Sequence, residues 1–532
     1  MDHLELLRRP SEIVAERTSR RGGRRLVVVS NRVPSRSFAA SPSAGGLAVA
    51  LASALKARGG LWFGWSGESC KEAEPSLQIN ADGPITYAVS GLSRRDIEEY
   101  YHGFANRGLW PICHYRLDLA CLSDCNAATY FRVNERFASQ LQKLLRPDDL
   151  IWVHDYHLIP LASYLRELGC RNRIGFFLHI PWPPPEVASA LPAYERLLRA
   201  FGAYDVVGFQ TVTDAVNFCA CIEGAKVGWH AGGEWCEIGG RMVEVRAFPI
   251  SIDPGDFAKK ARAAKKSSTV KRTLASFEGR KFIIGVDRLD YSKGLKHRME
   301  AFATFLERSP MAARDRVTLL QITPKSRSEV PEYALLQREL AEQVGRINGK
   351  FGDVDWTPLR YINKTMSRPA LAGLYRHARV GLVTPLRDGM NLVAKEYVAA
   401  QAPDNPGVLV LSQFAGAAQE LKSALIVNPY DIDGTAAAIS AAFAMPLEER
   451  KQRWSDLIGT LRANSIHDWT AQFLKALEGL EAVGGVAEEA GIGRPLIGGL
   501  PAVAGLSAHP EFRTGASRIA LRAPEDLALA KS

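Results

Sequence analysis

Short apolar runs rich in β-branched residues alternate with longer helical patterns from about residue 26 to residue 460, and this alternation narrows the fold more than anything else in the chain. The candidate strands are Leu26–Val29, Leu150–Val153, Ile174–Leu178, Asp205–Phe209, Phe282–Val286, Val317–Gln321, Val380–Val383 and Val408–Leu411. Helical stretches lie between them, among them 45–57, 133–145, 294–308 and 331–347. Strands that are apolar at nearly every position are covered on both faces, which requires parallel strands joined through helices. The pattern restarts near Pro249, where FPISIDPGDF reads as a segment crossing between two sheets.

At 532 residues the chain is too long for one core, so we expect two doubly wound domains, 26–247 and 248–460. They are preceded by a basic extension over 1–25, with seven Arg and four acidic residues, and followed by a helix over 461–482. The Gly/Ala/Pro-rich stretch 483–532 lacks a period and reads as a disordered tail. No apolar run reaches the length of a membrane helix and the start lacks a signal peptide, which predicts a cytoplasmic protein. The eight Cys fit neither a zinc site nor a disulfide framework, so they read as reduced thiols, mostly in cores. The net charge of +10 is spread along the chain, and no nucleic-acid module appears. An anionic small molecule accounts for the balance equally well.

In open α/β sheets ligands sit beyond the carboxyl ends of strands, so the turns after the strands are where chemistry is expected. After Val383, PLRDGMNLVAKEYVAA opens a helix whose first amides, at Leu392 and Val393, can receive a diphosphate, with Glu396 one turn on. The same stretch by itself also fits Asp388 or Asn391 as a cap and Glu396 on a solvated face. In GVDRLDYSKGLKHR, Arg288 and Lys293 stand five apart across a turn and can reach one diphosphate. Three turns in the first half complete the set: Arg32 in VVVSNRVP, Gly45 and Gly46 in SAGGLAVALASALK, and Asp155 between His154 and His157 in IWVHDYHLIP. No further ligand stands near those histidines at metal spacing, so they read as core or hydrogen-bonded. GRINGKF is not a phosphate loop, and Asp431-x-Asp433 reads as a turn before a helix.

Taken together, VVVSNRVP, SAGGLAVAL, GLWFGWSGE, EYYHGFANRGLWPICHYR, IWVHDYHL, RIGFFLHIPWPPPE, RLDYSKGL, GRINGKFG, TPLRDGMNLVAKEYVAAQ and GVLVLSQFAGAAQEL resemble the trehalose-6-phosphate synthases, in one order from about 26 to 480. The resemblance implies a GT-B fold, two Rossmann-like domains facing an interdomain cleft, with the last helix crossing back to the first. It implies an acceptor site for glucose 6-phosphate from Arg32, Tyr101, Trp110, Asp155 and Arg327. It implies a donor site for UDP-glucose from Gly45, Gly46, Arg288, Lys293, Asp388, Leu392, Val393, Ala394, Lys395 and Glu396. Asp388 would meet the glucosyl hydroxyls, Glu396 the ribose, and Arg288, Lys293, His179 and Asp155 would carry the catalysis. The small-molecule substrates would be the partners, without metal, cofactor, nucleic acid or membrane. Assembly of identical chains and a functional link to a trehalose-6-phosphate phosphatase are further expectations.

Trp182, Pro184 and Cys70 depart from the residues expected of the family, and none removes a named ligand. The implied reaction is glucosyl transfer with retention to give α,α-trehalose 6-phosphate. No motif supplies a spare carboxylate nucleophile, so a same-face route is expected, with Arg288 and Lys293 stabilising the leaving phosphate. The rivals are a glucosylglycerol-phosphate synthase or pseudo-glycosyltransferase of the same fold, and a non-catalytic subunit that binds sugar phosphate.

Overall fold

The computed structural model describes residues 24–33, 51–52, 54–56, 58–71, 76–309, 315–325 and 331–479. The predicted tail and nearly all of the predicted basic extension lie outside the described residues. Arg25 is inside the fold, a correction to the expected end of the extension: its guanidinium bonds Asp149 (2.7 Å) and the Leu144 carbonyl (2.8 Å).

Among the described residues the first sheet has ten strands: β1 (Leu26–Arg32), β2 (Gly60–Cys70), β3 (Gln78–Asp82), β4 (Ile85–Ser93), β5 (Leu150–His154), β6 (Arg173–Phe177), β7 (Val206–Phe209), β8 (Gly228–Gly232), β9 (Trp235–Ile238) and β10 (Arg241–Ala247). Their order is β3-β4-β2-β1-β5-β6-β7-β10-β9-β8, parallel from β4 to β10 and antiparallel at both edges. The second sheet has six parallel strands in the order β13-β12-β11-β14-β15-β16, formed by β11 (Phe282–Val286), β12 (Thr318–Ile322), β13 (Leu359–Ile362), β14 (Val380–Val383), β15 (Val408–Ser412) and β16 (Leu425–Val427). The central runs LIWVH and FIIGV are buried at every position, as their composition requires.

Strand order fixes where ligands can go. In the second sheet the order reverses between β11 and β14, and in the first between β1 and β5. The crevices therefore open at the loops following β1, β5, β11 and β14, which carry the residues singled out above.

The chain crosses between the sheets at 248–253 and returns near Asn464. The crossings are bonded to each other, Asn464 Nδ2 donating to Pro249 O (3.1 Å) and Ile466 N to Ile252 O (3.0 Å). In the region of the helix expected over 461–482 stand the end of one helix, Leu447–Ala463, and the whole of another, Ile466–Glu478, separated where Ser465 and Asp468 form a capping box. The second of these lies on the first sheet, with Phe473 stacked on Trp152 (4.5 Å) and filling the space a side chain would take at Gly175 and Gly208.

Candidate functional site

The loop after β11 and the loop after β14 are tied to each other before any ligand is considered. Leu386 N donates to Ser292 O (2.8 Å), and Gly294, at φ 64°, passes so close to Thr384 O that a Cβ would stand 2.4 Å from it. Beneath them the buried Arg298 donates to Thr384 Oγ1 (3.0 Å), Gln321 Oε1 (3.2 Å), the Lys293 carbonyl (3.3 Å) and Asp287. Sequence reading passed over Arg298, because a lone Arg on a helix looks solvated until its four partners converge.

This frame holds Lys293 Nζ 2.6 Å from Asp388 Oδ2, and Asn391 Nδ2 also donates to that oxygen (3.0 Å). Arg288, on the same loop, is exposed and has no bonded partner among the described residues. The helix Leu392–Ala400 begins here. Asn391 caps it by accepting from Ala394 N (3.2 Å), so the Ala394 amide is not open to a ligand, a correction to the expected donor set. Lys395 is corrected as well: its ammonium is fully buried and bonds Ile250 O (2.8 Å) and Glu420 (2.5 Å), away from the cleft. The Leu392 and Val393 positions remain half-buried at the first turn. Glu396 pairs with Arg368 (2.9 Å) and is not on a solvated face; burial raises its pKa against the pull of Arg368.

On the first sheet, Asp155 follows β5 with φ 76° and ψ 163°, a conformation that costs a non-glycine residue roughly 1–3 kcal/mol. Its Oδ1 accepts from His179 N (3.3 Å). His154 Nδ1 and His179 Nε2 lie 3.1 Å apart, and burial holds His179 down at about 3 and His154 well below its ordinary value. Two neutral rings share that hydrogen bond. His157 is stacked on Tyr101 (5.8 Å) inside the lobe, as expected of a core histidine. Tyr101 also meets the edge of Trp65 (5.4 Å), whose ring centroid lies 5.3 Å from the Arg32 guanidinium and whose Nε1 donates to Glu68 O (2.8 Å). Trp65 was quoted in its motif without a role; its place beside Arg32 and Tyr101 adds it to the candidate residues. Trp110 stacks on His114 (4.2 Å), and His114 is depressed to about 4 by burial first and by the Lys293 charge second, which places this pair opposite the cations of the second lobe.

The lobes touch around these loops. Gly389 lies against His179 O, where a Cβ would stand at 2.3 Å, and Arg387 covers the ring of Tyr115 at 3.7 Å. Arg107 pairs with Glu332 (3.1 Å), and Gln419 donates to Thr213 (3.2 Å). Gly45, Gly46 and Arg327 lie outside the described residues. Trp182 is buried against Phe201, Phe209 and Phe218, so this departure from the family pattern packs inside the lobe. All eight cysteines are free, and four of them are buried. No helix among the described residues is long and apolar enough to cross a membrane.

Comparison with known proteins agrees with this geometry. Residues 19–479 match the model of glycosyltransferase family 20. The chain is 57% identical over 455 residues to the trehalose-6-phosphate synthase of Sinorhizobium fredii, covering 85% of this chain and 98% of that one. A Burkholderia xenovorans α,α-trehalose-phosphate synthase (UDP-forming) solved in complex with glucose-6-phosphate superposes with a TM-score of 0.82 at 48% identity, covering 86% and 100% of the two chains. The Escherichia coli enzyme bound with UDP-2-fluoro glucose superposes with a TM-score of 0.81 at 47% identity, covering 85% and 99%. The fold is GT-B, and the chain belongs to glycosyltransferase family 20.

Proposed function

We propose that this chain is a retaining glucosyltransferase that moves glucose from UDP-glucose to O1 of glucose 6-phosphate, forming α,α-trehalose 6-phosphate and releasing UDP. The observation that carries the reading is the pairing of Lys293 with Asp388 at the switch point of the second sheet, beside Arg288, unpaired among the described residues, and facing Trp110, His114 and His179. The two relatives solved with glucose-6-phosphate and with a UDP-glucose analogue support the same acceptor and donor.

In this scheme the diphosphate lies against Arg288, Lys293 and the amides of Leu392 and Val393, and Glu396 receives the ribose. Asp388 has two tasks, orienting Lys293 and meeting glucosyl hydroxyls. Arg32, Tyr101, Trp110 and Asp155, with Arg327 and Trp65, hold the acceptor. The acceptor hydroxyl attacks from the face the phosphate leaves, its proton passes to the departing phosphate oxygen, and the two cations take up the charge that develops there. His179, neutral and bonded to His154, positions the reacting sugar and does not act as the base. The product keeps a phosphate monoester, which a trehalose-6-phosphate phosphatase would remove. We place the reaction in the cytoplasm, without a metal or cofactor, and with identical chains free to assemble.

The test is a panel of UDP-, GDP- and ADP-glucose with glucose 6-phosphate, scored by nucleotide released and by the linkage of the product. An α,α-1,1-linked disaccharide phosphate and UDP are expected. Turnover only with glycerol 3-phosphate, or no nucleotide release at all, would reject the reading.

A further inference from the structure

A cavity of about 290 Å³ opens at the amino ends of β11, β14 and β15, on the opposite side of the second sheet from the cleft. Lys281 directly precedes β11, Arg379 directly precedes β14, and Arg376, Arg450 and Lys265 reach in from neighbouring helical segments. Asp404 is the one carboxylate in the lining among the described residues.

Part of this charge has a structural use. Arg376 donates to the carbonyls of Ala400 (3.2 Å) and Gln401 (3.3 Å), at the end of the helix Leu392–Ala400. Arg450 donates to Asn405 Oδ1 (2.8 Å) and to Pro406 O. The rest has none. Arg450 is 5% exposed, and its buried Nε has no hydrogen-bond partner among the described residues. The guanidinium of half-buried Arg379 has neither a hydrogen bond nor an ion pair among the described residues. The cations also oppose one another: Lys281 is held down by burial first and then by Arg379, with Arg450 adding to it and Asp315 pulling the other way, and Arg450 is held down by burial and then by Arg379, against Tyr397.

Like charges kept together in a partly dehydrated pocket destabilise it until an anion joins them. Convergent guanidinium and ammonium donors suit the oxygens of phosphate, Arg by its planar fork and Lys as a point charge. The volume sits at the small end of ligand sites, which fits a compact anion. We propose that this cavity binds a small phosphate-bearing anion, either inorganic phosphate or a phosphate monoester, at a site separate from the cleft.

Thermal unfolding of the full chain tests this in chloride buffer of constant ionic strength, with inorganic phosphate or methyl phosphate added. The cleft also takes phosphates, so the same titration is run on Arg288→Ala. The Tm is expected to rise with phosphate in both proteins, and the concentration giving half the rise should increase about tenfold in Arg379→Gln and in Lys281→Gln. Lys281 is exposed, so its variant keeps the test open if Arg379→Gln does not fold. A lower half-point for methyl phosphate than for inorganic phosphate upholds the site and assigns it to monoesters; the reverse upholds it for the free ion. No response in the parent chain, or a half-point in both cavity variants unchanged from that of the parent, overturns the proposal.

Discussion

Arg288 and Lys293 share a loop but differ in surroundings, and the difference separates what each substitution does. Arg288 is exposed and unpaired among the described residues, so Arg288→Ala should leave Tm unchanged while lowering kcat by about 10²–10³-fold, as losing one preorganised donor does. Lys293 is 9% exposed and neutralises Asp388, so Lys293→Ala should cost both turnover and about 3–5 kcal/mol of stability. Steady-state kinetics beside urea unfolding reads both, and near-normal turnover of Arg288→Ala would remove the clamp. Protonation is also decided at single residues. Burial keeps His179 near 3 and His114 near 4, and His154 well below its ordinary value, whereas an unfolded chain protonates these rings near pH 6.5. Between pH 6.5 and about 4 the unfolded state therefore binds more protons, and stability falls as pH falls. Asp214, raised by burial to about 6, acts in the opposite sense below that pH because the folded state takes its proton first. His179 and His114 each contribute about 2 kcal/mol by pH 5 and His154 adds in the same direction, against the smaller opposing effect of Asp214 and of Asp287 and Glu396, which burial also raises, so the urea midpoint should drop from pH 7 to pH 5. An unchanged midpoint would mean these rings are not held neutral. At this scale the sequence showed which residue types stand at the carboxyl ends of the strands, where the two lobes meet. It hid Arg298, Trp65 and the turn of Lys395 away from the cleft, which depend largely on neighbours far along the chain, such as Thr384 for Arg298, Arg32 for Trp65 and Ile250 for Lys395.

Elements built from uninterrupted apolar runs were legible, and those whose burial comes from elsewhere were not. All eight candidate strands lie on observed strands, Phe282–Val286 and Val380–Val383 end for end and the other six with an end shifted by up to three residues. β2, GLWFGWSGESC, carries too much Gly and polar surface at its end to read as a strand, and β3, β4 and the β8–β10 meander share that mixed pattern at or near the edges of the first sheet. Ile97–Leu109 is an aromatic-rich helix hidden by two glycines. The donor loop yields a prediction of its own. A methyl group at Gly389 would meet a backbone oxygen of the opposite lobe, which cannot rotate aside, so Gly389→Ala should lower kcat/KM by about 10²-fold while far-UV circular dichroism stays the same. The returning helix yields another: Phe473→Ala should cost about 3–5 kcal/mol in urea unfolding, because its ring fills the space left by two glycines and stacks on Trp152.

Across the whole molecule, the rim contacts are weak one by one. The Arg107–Glu332 pair is a third exposed on one side and a quarter on the other, worth less than about 1 kcal/mol. Arg387 over Tyr115 is better shielded, and Arg387→Ala should enlarge the radius of gyration of the ligand-free chain in X-ray scattering and raise the KM for the nucleotide sugar. Unchanged scattering would show that the lobes are held together elsewhere. The other side of the molecule is built differently. There the outgoing and returning strands of chain are bonded to each other, Lys395 grips Ile250 O from the second lobe, and Gln210 holds Ile250 N from the first. Such a spine lets the halves swing like the covers of a book but resists one sliding along the other. Substrates and products must then share a single mouth, and spent nucleotide has to clear it before a fresh sugar can enter.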